Sequence, residues 1–289
     1  MNLILCKNYD EMSQKAAELI AKQVNEKPNS VLGLATGSTP IGTYSRLIEM
    51  NKNNEIDFKN VVTFNLDEYY PISHSNSQSY HSFMNENLFK YINIDLNNTH
   101  IPNGETVEPT TECEEYEKQI EAFGGVDLQI LGIGRNGHIG FNEPSESLSS
   151  NTHLTGLTQD TIEANARFFK DENQVPTHAL TMGMATIFKA KKIILLANGR
   201  SKMNAIKALL SDEITTDSPA TMLKMHPNVT VICDYDAYAD TRMGIDIGGM
   251  SAKIGVLENN KIIERREIAI SKTMTCLLYT SPSPRDAHE

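Results

Sequence analysis

Six short apolar runs, almost free of polar alternation, constrain this chain more than any other feature. They fall at residues 3–6, 31–35, 61–66, 127–133, 192–197 and 229–233. A strand with one wet face alternates apolar and polar residues, whereas a continuous apolar run belongs to a strand covered on both faces. Between the runs the period changes. Met12, Ala16, Leu19, Ile20 and Val24 keep helical spacing across residues 10–25, and Ile41, Tyr44, Leu47 and Ile48 do so up to Met50. Thr111-Glu112-Cys113-Glu114 has the spacing of a capping box, and Gly124-Gly125 closes the helix it would open. Strands alternating with helices predict an α/β fold: an open, mainly parallel, Rossmann-like sheet with helices on both faces. Ligands of such sheets bind beyond the carboxyl ends of the strands. The segments that follow each run are therefore the candidate site. No internal repeat and no long linker precede residue 240.

Composition narrows the function classes. The 289 residues suit one large domain or two small ones, and a chain this long buries roughly three-quarters of its unfolded surface. Acidic residues outnumber basic ones 37 to 26, for a formal charge of −11. Nucleic acid is not an expected partner, because phosphate neutralisation needs clustered Lys and Arg. No apolar run approaches the roughly 20 residues that span a bilayer, so no membrane partner is expected. The first residues carry too short an apolar stretch for a signal peptide, and the expected compartment is the cytoplasm. The four cysteines are widely spaced, without C-x-x-C or a zinc-type Cys/His cluster. Reduced, mostly buried thiols and no metal are expected.

Three segments lie where chemistry belongs. Thr36-Gly37-Ser38-Thr39-Pro40 joins a buried strand to a helix. Gly37 tolerates positive φ. Ser38 and Thr39 sit where helix N-terminal amides lack partners, a corner that attracts phosphate. It is not a Walker loop, and a capped turn explains the segment equally well. Asn65-Leu66-Asp67-Glu68-Tyr69-Tyr70 puts two adjacent acids at a strand end. A desolvated carboxylate there can act as a general base, although a solvated turn or an N-cap would account for the pair without chemistry. Gly132 to Pro144 is the richest, with four glycines in nine residues, then Phe141-Asn142-Glu143. His138 can move a proton near neutral pH, and Glu143 can orient it. Glycine spacing alone is weak evidence for a dinucleotide, and no ribose-binding acid follows, so no cofactor is expected. Arg167 and Lys202 are candidate phosphate clamps, though solvated surface charge accounts for each taken singly. Together these features suggest proton transfer on a small phosphorylated metabolite.

Taken in order, residues 34–40, 62–69, 132–144, 167–169, 173–176 and 179–181 resemble the isomerising glucosamine-6-phosphate deaminase family. The resemblance covers about residues 1–240. The F-N-x-D-E-Y segment separates the chain from 6-phosphogluconolactonases, which share the fold and a Gly-rich His loop. The resemblance implies that glucosamine 6-phosphate and water give fructose 6-phosphate and ammonia. It implies Asp67 as the base that carries a proton between C2 and C1. It implies His138 as the group that opens the pyranose, with Asn136 and Glu143 as its partners. Gly37, Ser38, Thr39, Arg167 and Lys202 would hold the phosphate. Some members carry Asp where this chain has Asn136, so His138 here depends more on Glu143. Where allosteric members place basic residues, this chain has His153 and Thr155, with Glu146 nearby, so weak or absent activation by N-acetylglucosamine 6-phosphate is expected. The alternatives are a 6-phosphogluconolactonase-like hydrolase and a non-catalytic sugar-phosphate sensor. The sequence leaves the oligomeric state open, a homo-oligomer included.

The character of the chain changes near residue 240. Residues 242–257, with Asp246-Ile247-Gly248-Gly249, resemble the first β-hairpin of sugar kinases of the repressor/open-reading-frame/kinase family. There an Asp-x-Gly-Gly turn approaches ATP phosphate. The expected organisation is a deaminase-like domain at 1–240, a truncated kinase-like hairpin fragment at 241–270 and an unassigned tail at 271–289. So short a remainder cannot build a two-lobed kinase. ATP binding is not expected, and a truncated fusion or a junction of reading frames is.

Overall fold

The structure is a computed structural model and describes residues 1–158, 162, 176–238, 241–247, 251–258 and 261–269. The chain divides into two compact units, Met1–Tyr238 and Ala239–Glu289.

In the first unit β1 (Asn2–Cys6) leads into α1 (Tyr9–Glu26), whose first turn is capped by the Asn8 side chain accepting from the Glu11 N–H. There follow β2 (Val31–Leu34), α2 (Ile41–Lys52), β3 (Val62–Asn65), β4 (Asp67–Tyr70) and α3 (Tyr80–Asn87). Then come β5 (Thr99–His100), α4 (Pro109–Ala122), β6 (Leu128–Gly132), β7 (His153–Gly156), β8 (His178–Thr181) and α5 (Met184–Phe188). The unit closes with β9 (Ile193–Ala197), α6 (Met203–Leu210), β10 (Val229–Asp234) and α7 (Tyr235–Tyr238).

Seven of these strands form one sheet, in the order β1-β10-β9-β6-β2-β3-β5, and every pairing in it is parallel. Residues of β2, β3 and β9 are buried throughout, as their unbroken apolar character requires. The chain moves outward from β2 through β3 to β5, then returns to place β6 on the other side of β2. The carboxyl ends of β2 and β6 thus flank a topological switch point, where α/β sheets open a crevice.

Two features depart from expectation. Thr111 does not cap α4. Pro109 occupies its first turn, where a missing N–H costs nothing, so the helix starts earlier and Glu108 stands at its N-cap without a side-chain bond. Glu112 instead accepts from the Asn103 N–H. Gly124 and Gly125 do end the helix, both at positive φ. The second departure is an additional antiparallel sheet, β4-β8-β7, beside the parallel one. It has its own small core of Tyr69, Ile72, Phe141 and Ala179.

The second unit contains β11 (Thr241–Ile247), β12 (Ser251–Glu258) and β13 (Lys261–Ala269) in an antiparallel sheet. The hairpin expected there is β11–β12. Gly248 and Gly249, which carry the kinase resemblance at its turn, lie outside the described residues, as do residues 270–289.

Candidate active site

β3 ends at Asn65 because the chain changes partner there. The Leu66 N–H still donates to Leu34 of β2, but its carbonyl accepts from Met182, just beyond β8. The next residues peel away as β4, and Asp67 faces Thr181 across the antiparallel pair. The two acids therefore sit in a strand rather than a wet turn. Asp67 is 6% exposed and Glu68 is fully buried. Burial, and then the neighbouring Glu68 charge, push the Asp67 carboxyl up to about 8. Burial also raises Glu68, to about 7, against the pull of three backbone N–H donors. Those three donors make Glu68 a better seat for a negative charge than Asp67.

The Gly-rich loop comes up beside this carboxylate. A Cβ built on Gly140 would lie 3.7 Å from Asp67 Oδ2. The Thr181 hydroxyl accepts from the Phe141 N–H at 3.1 Å, tying the loop to the strand opposite Asp67. Within the loop, His138 Nδ1 lies 3.0 Å from Glu143 Oε2. Asn136 Nδ2 donates to the same oxygen at 2.6 Å, and Asn136 Oδ1 accepts from the His138 N–H at 3.2 Å. Thr158 Oγ1 donates to the other Glu143 oxygen at 3.4 Å. With Nδ1 engaged by a carboxylate, Nε2 is the ring nitrogen left to face a ligand. Gly134 is required by this arrangement: a Cβ there would fall 2.3 Å from the imidazole Cε1.

The phosphate-type corner lies after β2. Gly37 has φ +90°, which glycine adopts without strain. Thr39 Oγ1 donates to Asn198 Oδ1 at 2.9 Å, so the loop after β2 is joined to the loop after β9. The latter carries Lys202 at the end of a 3-10 turn. Ser38 is exposed, and its carbonyl accepts from the Tyr9 hydroxyl. Arg167 lies outside the described residues, as do Asn173, Gln174 and Val175 of the resembling segments.

The structure thus brings Asp67 beside the His138–Asn136–Glu143 loop, and joins the Gly37–Thr39 corner to the segment holding Lys202. Sequence reasoning missed Tyr80, whose hydroxyl interacts with the Tyr69 and Thr36 side chains. Its ring lies 4.7 Å from Tyr69 and stacks on Phe141 at 6.2 Å. It also missed Thr181 and Asn198 as connectors. Tyr80 and Asn198 sit in polar stretches with no motif to mark them; their roles follow only from the fold. Among the described residues, no group of three or more His, Cys, Asp or Glu side chains is placed to hold a metal. No helix among them is long and apolar enough to cross a membrane.

Comparison with known proteins places this geometry. Residues 7–232 match the family described as glucosamine-6-phosphate isomerases/6-phosphogluconolactonase. The glucosamine-6-phosphate deaminase of Thermoanaerobacter pseudethanolicus is 58% identical over 237 residues, which are 82% of this chain and 94% of that protein. A solved monomeric glucosamine-6-phosphate deaminase superposes with a TM-score of 0.80 at 46% identity, covering 82% of this chain and 98% of that one. The 6-phosphogluconolactonase of Thermotoga maritima superposes at 0.64 with 23% identity, covering 81% and 98%, a likeness of fold alone. The chain belongs to the glucosamine-6-phosphate isomerase/6-phosphogluconolactonase family.

Proposed function

We propose that the chain is a glucosamine-6-phosphate deaminase, converting glucosamine 6-phosphate and water to fructose 6-phosphate and ammonia. The observation that carries this reading is a buried carboxylate, Asp67, set against Gly140 in the loop that carries the His138–Glu143 pair. Similarity to named deaminases at 58% identity supports it. The reading rests on residues 1–238.

The chemistry has three requirements, and a separate part of the site meets each. The substrate must be held by its phosphate. The corner at Gly37, Ser38 and Thr39 offers backbone N–H groups and hydroxyls, and Lys202 supplies positive charge, with Arg167 assigned to the same task by resemblance. The pyranose must open before C2 carries an acidic proton. His138 takes the proton of the C1 hydroxyl and delivers it to the ring oxygen as the C1–O5 bond breaks, and Glu143 stabilises the imidazolium through Nδ1 in between. Asn136 is neutral and orients Glu143 rather than sharing its charge. The C2 proton must then move to C1. Asp67, as carboxylate, abstracts it and returns it to C1, while the C1 carbonyl oxygen takes a proton from the substrate's own ammonium and becomes a hydroxyl. The resulting iminium at C2 takes up water and loses ammonia, leaving the ketone. A carboxyl raised to about 8 is matched to such a task, because a base works best with a pKa near the working pH. Holding the phosphate fixes C1 and C2 against Asp67, which is the proximity contribution.

A lactonase needs no carbon-acid base, and the buried Asp67–Glu68 pair favours the deaminase. The discriminating test offers glucosamine 6-phosphate and 6-phosphogluconolactone in separate assays. Turnover of the amino sugar alone supports the reading, and turnover of the lactone alone replaces it.

A further inference from the structure

Glu68 is the buried titratable group for which the reaction above has no use. Its carboxylate accepts from the Tyr69 N–H at 2.9 Å, the Tyr80 N–H at 2.8 Å and the His81 N–H at 3.0 Å. The last two belong to the first turn of α3, where backbone N–H groups have no partner within the helix. Ser79 Oγ accepts from Ser82, and the Ser79 carbonyl accepts from Phe83. The start of α3 is therefore fully satisfied, half of it by a side chain of β4. That same turn carries Tyr80, whose hydroxyl reaches Thr36 at the mouth of the phosphate corner.

We propose that Glu68 is a positioning residue: it locks the start of α3 to β4, keeps the Tyr80 hydroxyl on Thr36, and so couples the phosphate corner to the strand bearing Asp67. The proposal rests on the reading of Asp67 as the proton-transferring group. It gives the site one rigid connection between the point that anchors the substrate and the point that reacts. Its charge also bears on Asp67. The titratable groups around Asp67 are Glu68 and Tyr69 from β4, Tyr80 from α3 and Tyr116 from α4. His138 and Glu143 stand in the loop that passes it. Of these, Glu68 is the group whose charge, after burial, pushes the Asp67 carboxyl up.

The test compares the full chain with Glu68→Gln, Tyr80→Phe and the double variant. Two quantities are measured: turnover of glucosamine 6-phosphate against pH, and binding of inorganic phosphate by titration calorimetry, which needs no turnover. The glutamine amide keeps the size of the Glu68 carboxylate but has one acceptor oxygen for three donors and no charge. Glu68→Gln is expected to lower kcat/KM about ten-fold or more, since a misplaced substrate reacts slowly. It should weaken phosphate binding about three-fold or more, the worth of one hydrogen bond. The acid limb of kcat/KM should move to lower pH, a displacement that a merely structural role does not produce. Tyr80→Phe should weaken phosphate binding to a similar degree and leave the acid limb in place, and the double variant should bind phosphate no worse than Glu68→Gln. Wild-type phosphate affinity and an unmoved acid limb in a folded Glu68→Gln protein overturn the proposal. If that variant does not fold, unchanged phosphate affinity in Tyr80→Phe overturns it. A wild-type protein that binds phosphate without turning over the amino sugar removes the functional reading, and this proposal with it.

Discussion

Replacing Asp67 by Asn should abolish activity and stabilise the fold, more so at high pH. The carboxyl is 6% exposed, and its pKa rises from 3.8 to about 8 on folding. A raised acid binds its proton more tightly in the native state than in the unfolded chain. Its cost to stability is therefore absent below pH 4, grows as pH rises between the two values, and levels off above 8. At about 1.4 kcal/mol per pH unit, the cost is on the order of 3 kcal/mol at pH 6 and 6 kcal/mol at pH 9. The asparagine amide has nearly the same shape and no charge to bury, so Asp67→Asn escapes this cost. Chemical unfolding followed by circular dichroism at pH 6 and pH 9 should show the variant gaining, with the gain larger by about 3 kcal/mol at pH 9. The same carboxyl sets the acid limb of wild-type kcat/KM, which should have its midpoint near 8. A gain equal at both pH values, together with a wild-type acid limb near 4, would refute the argument from burial.

Other substitutions separate the parts of the site from the frame that holds them. Glu143→Gln leaves the His138 ring without a charged partner, and kcat should fall about 100-fold or more, while calorimetry finds inorganic phosphate binding unchanged. Gly134→Ala drives a methyl into the imidazole, so kcat should drop with little change in phosphate affinity; a normal kcat would show that the ring is not held there. Asp127 is buried, and burial alone would raise its carboxyl. Lys191 at 2.8 Å, Lys27 at 2.6 Å and the Val31 N–H outweigh burial and hold it below the usual range. A lowered carboxyl contributes stability above its unfolded pKa and loses it as pH falls through the folded value. Asp127→Asn should therefore cost about 1–3 kcal/mol near pH 7 and progressively less below pH 4, read from denaturant midpoints.

The parallel sheet was legible because its strands are continuous apolar runs, and the candidate site could be proposed because its segments follow three of them. Asp67, Asn136, His138 and Glu143 were all singled out from strand ends, loop composition and the family resemblance. The antiparallel sheet was not legible. Its strands, DEYY, HALT and HLTG, are four residues each and mix charged, polar and apolar side chains, so no periodicity marks them. Asp67 and Glu68 looked like a wet turn for the same reason: their burial depends on β8, more than 100 residues downstream. Thr111 shows the opposite error. Its spacing to Glu114 is correct for a capping box, but Pro109 already fits the first turn, and a local pattern gave way to an earlier start. Tyr80 illustrates the remaining gap. A tyrosine in a polar stretch acquires its place only when Glu68 draws the start of α3 onto β4.

The most direct test is to incubate the full chain with glucosamine 6-phosphate and quantify ammonia and fructose 6-phosphate in the same samples, with Asp67→Asn alongside. The wild-type chain should release the two products equally, and the variant should release neither. Ammonia without fructose 6-phosphate, or undiminished turnover by Asp67→Asn, would contradict the assignment of Asp67 as the base of an isomerising deaminase.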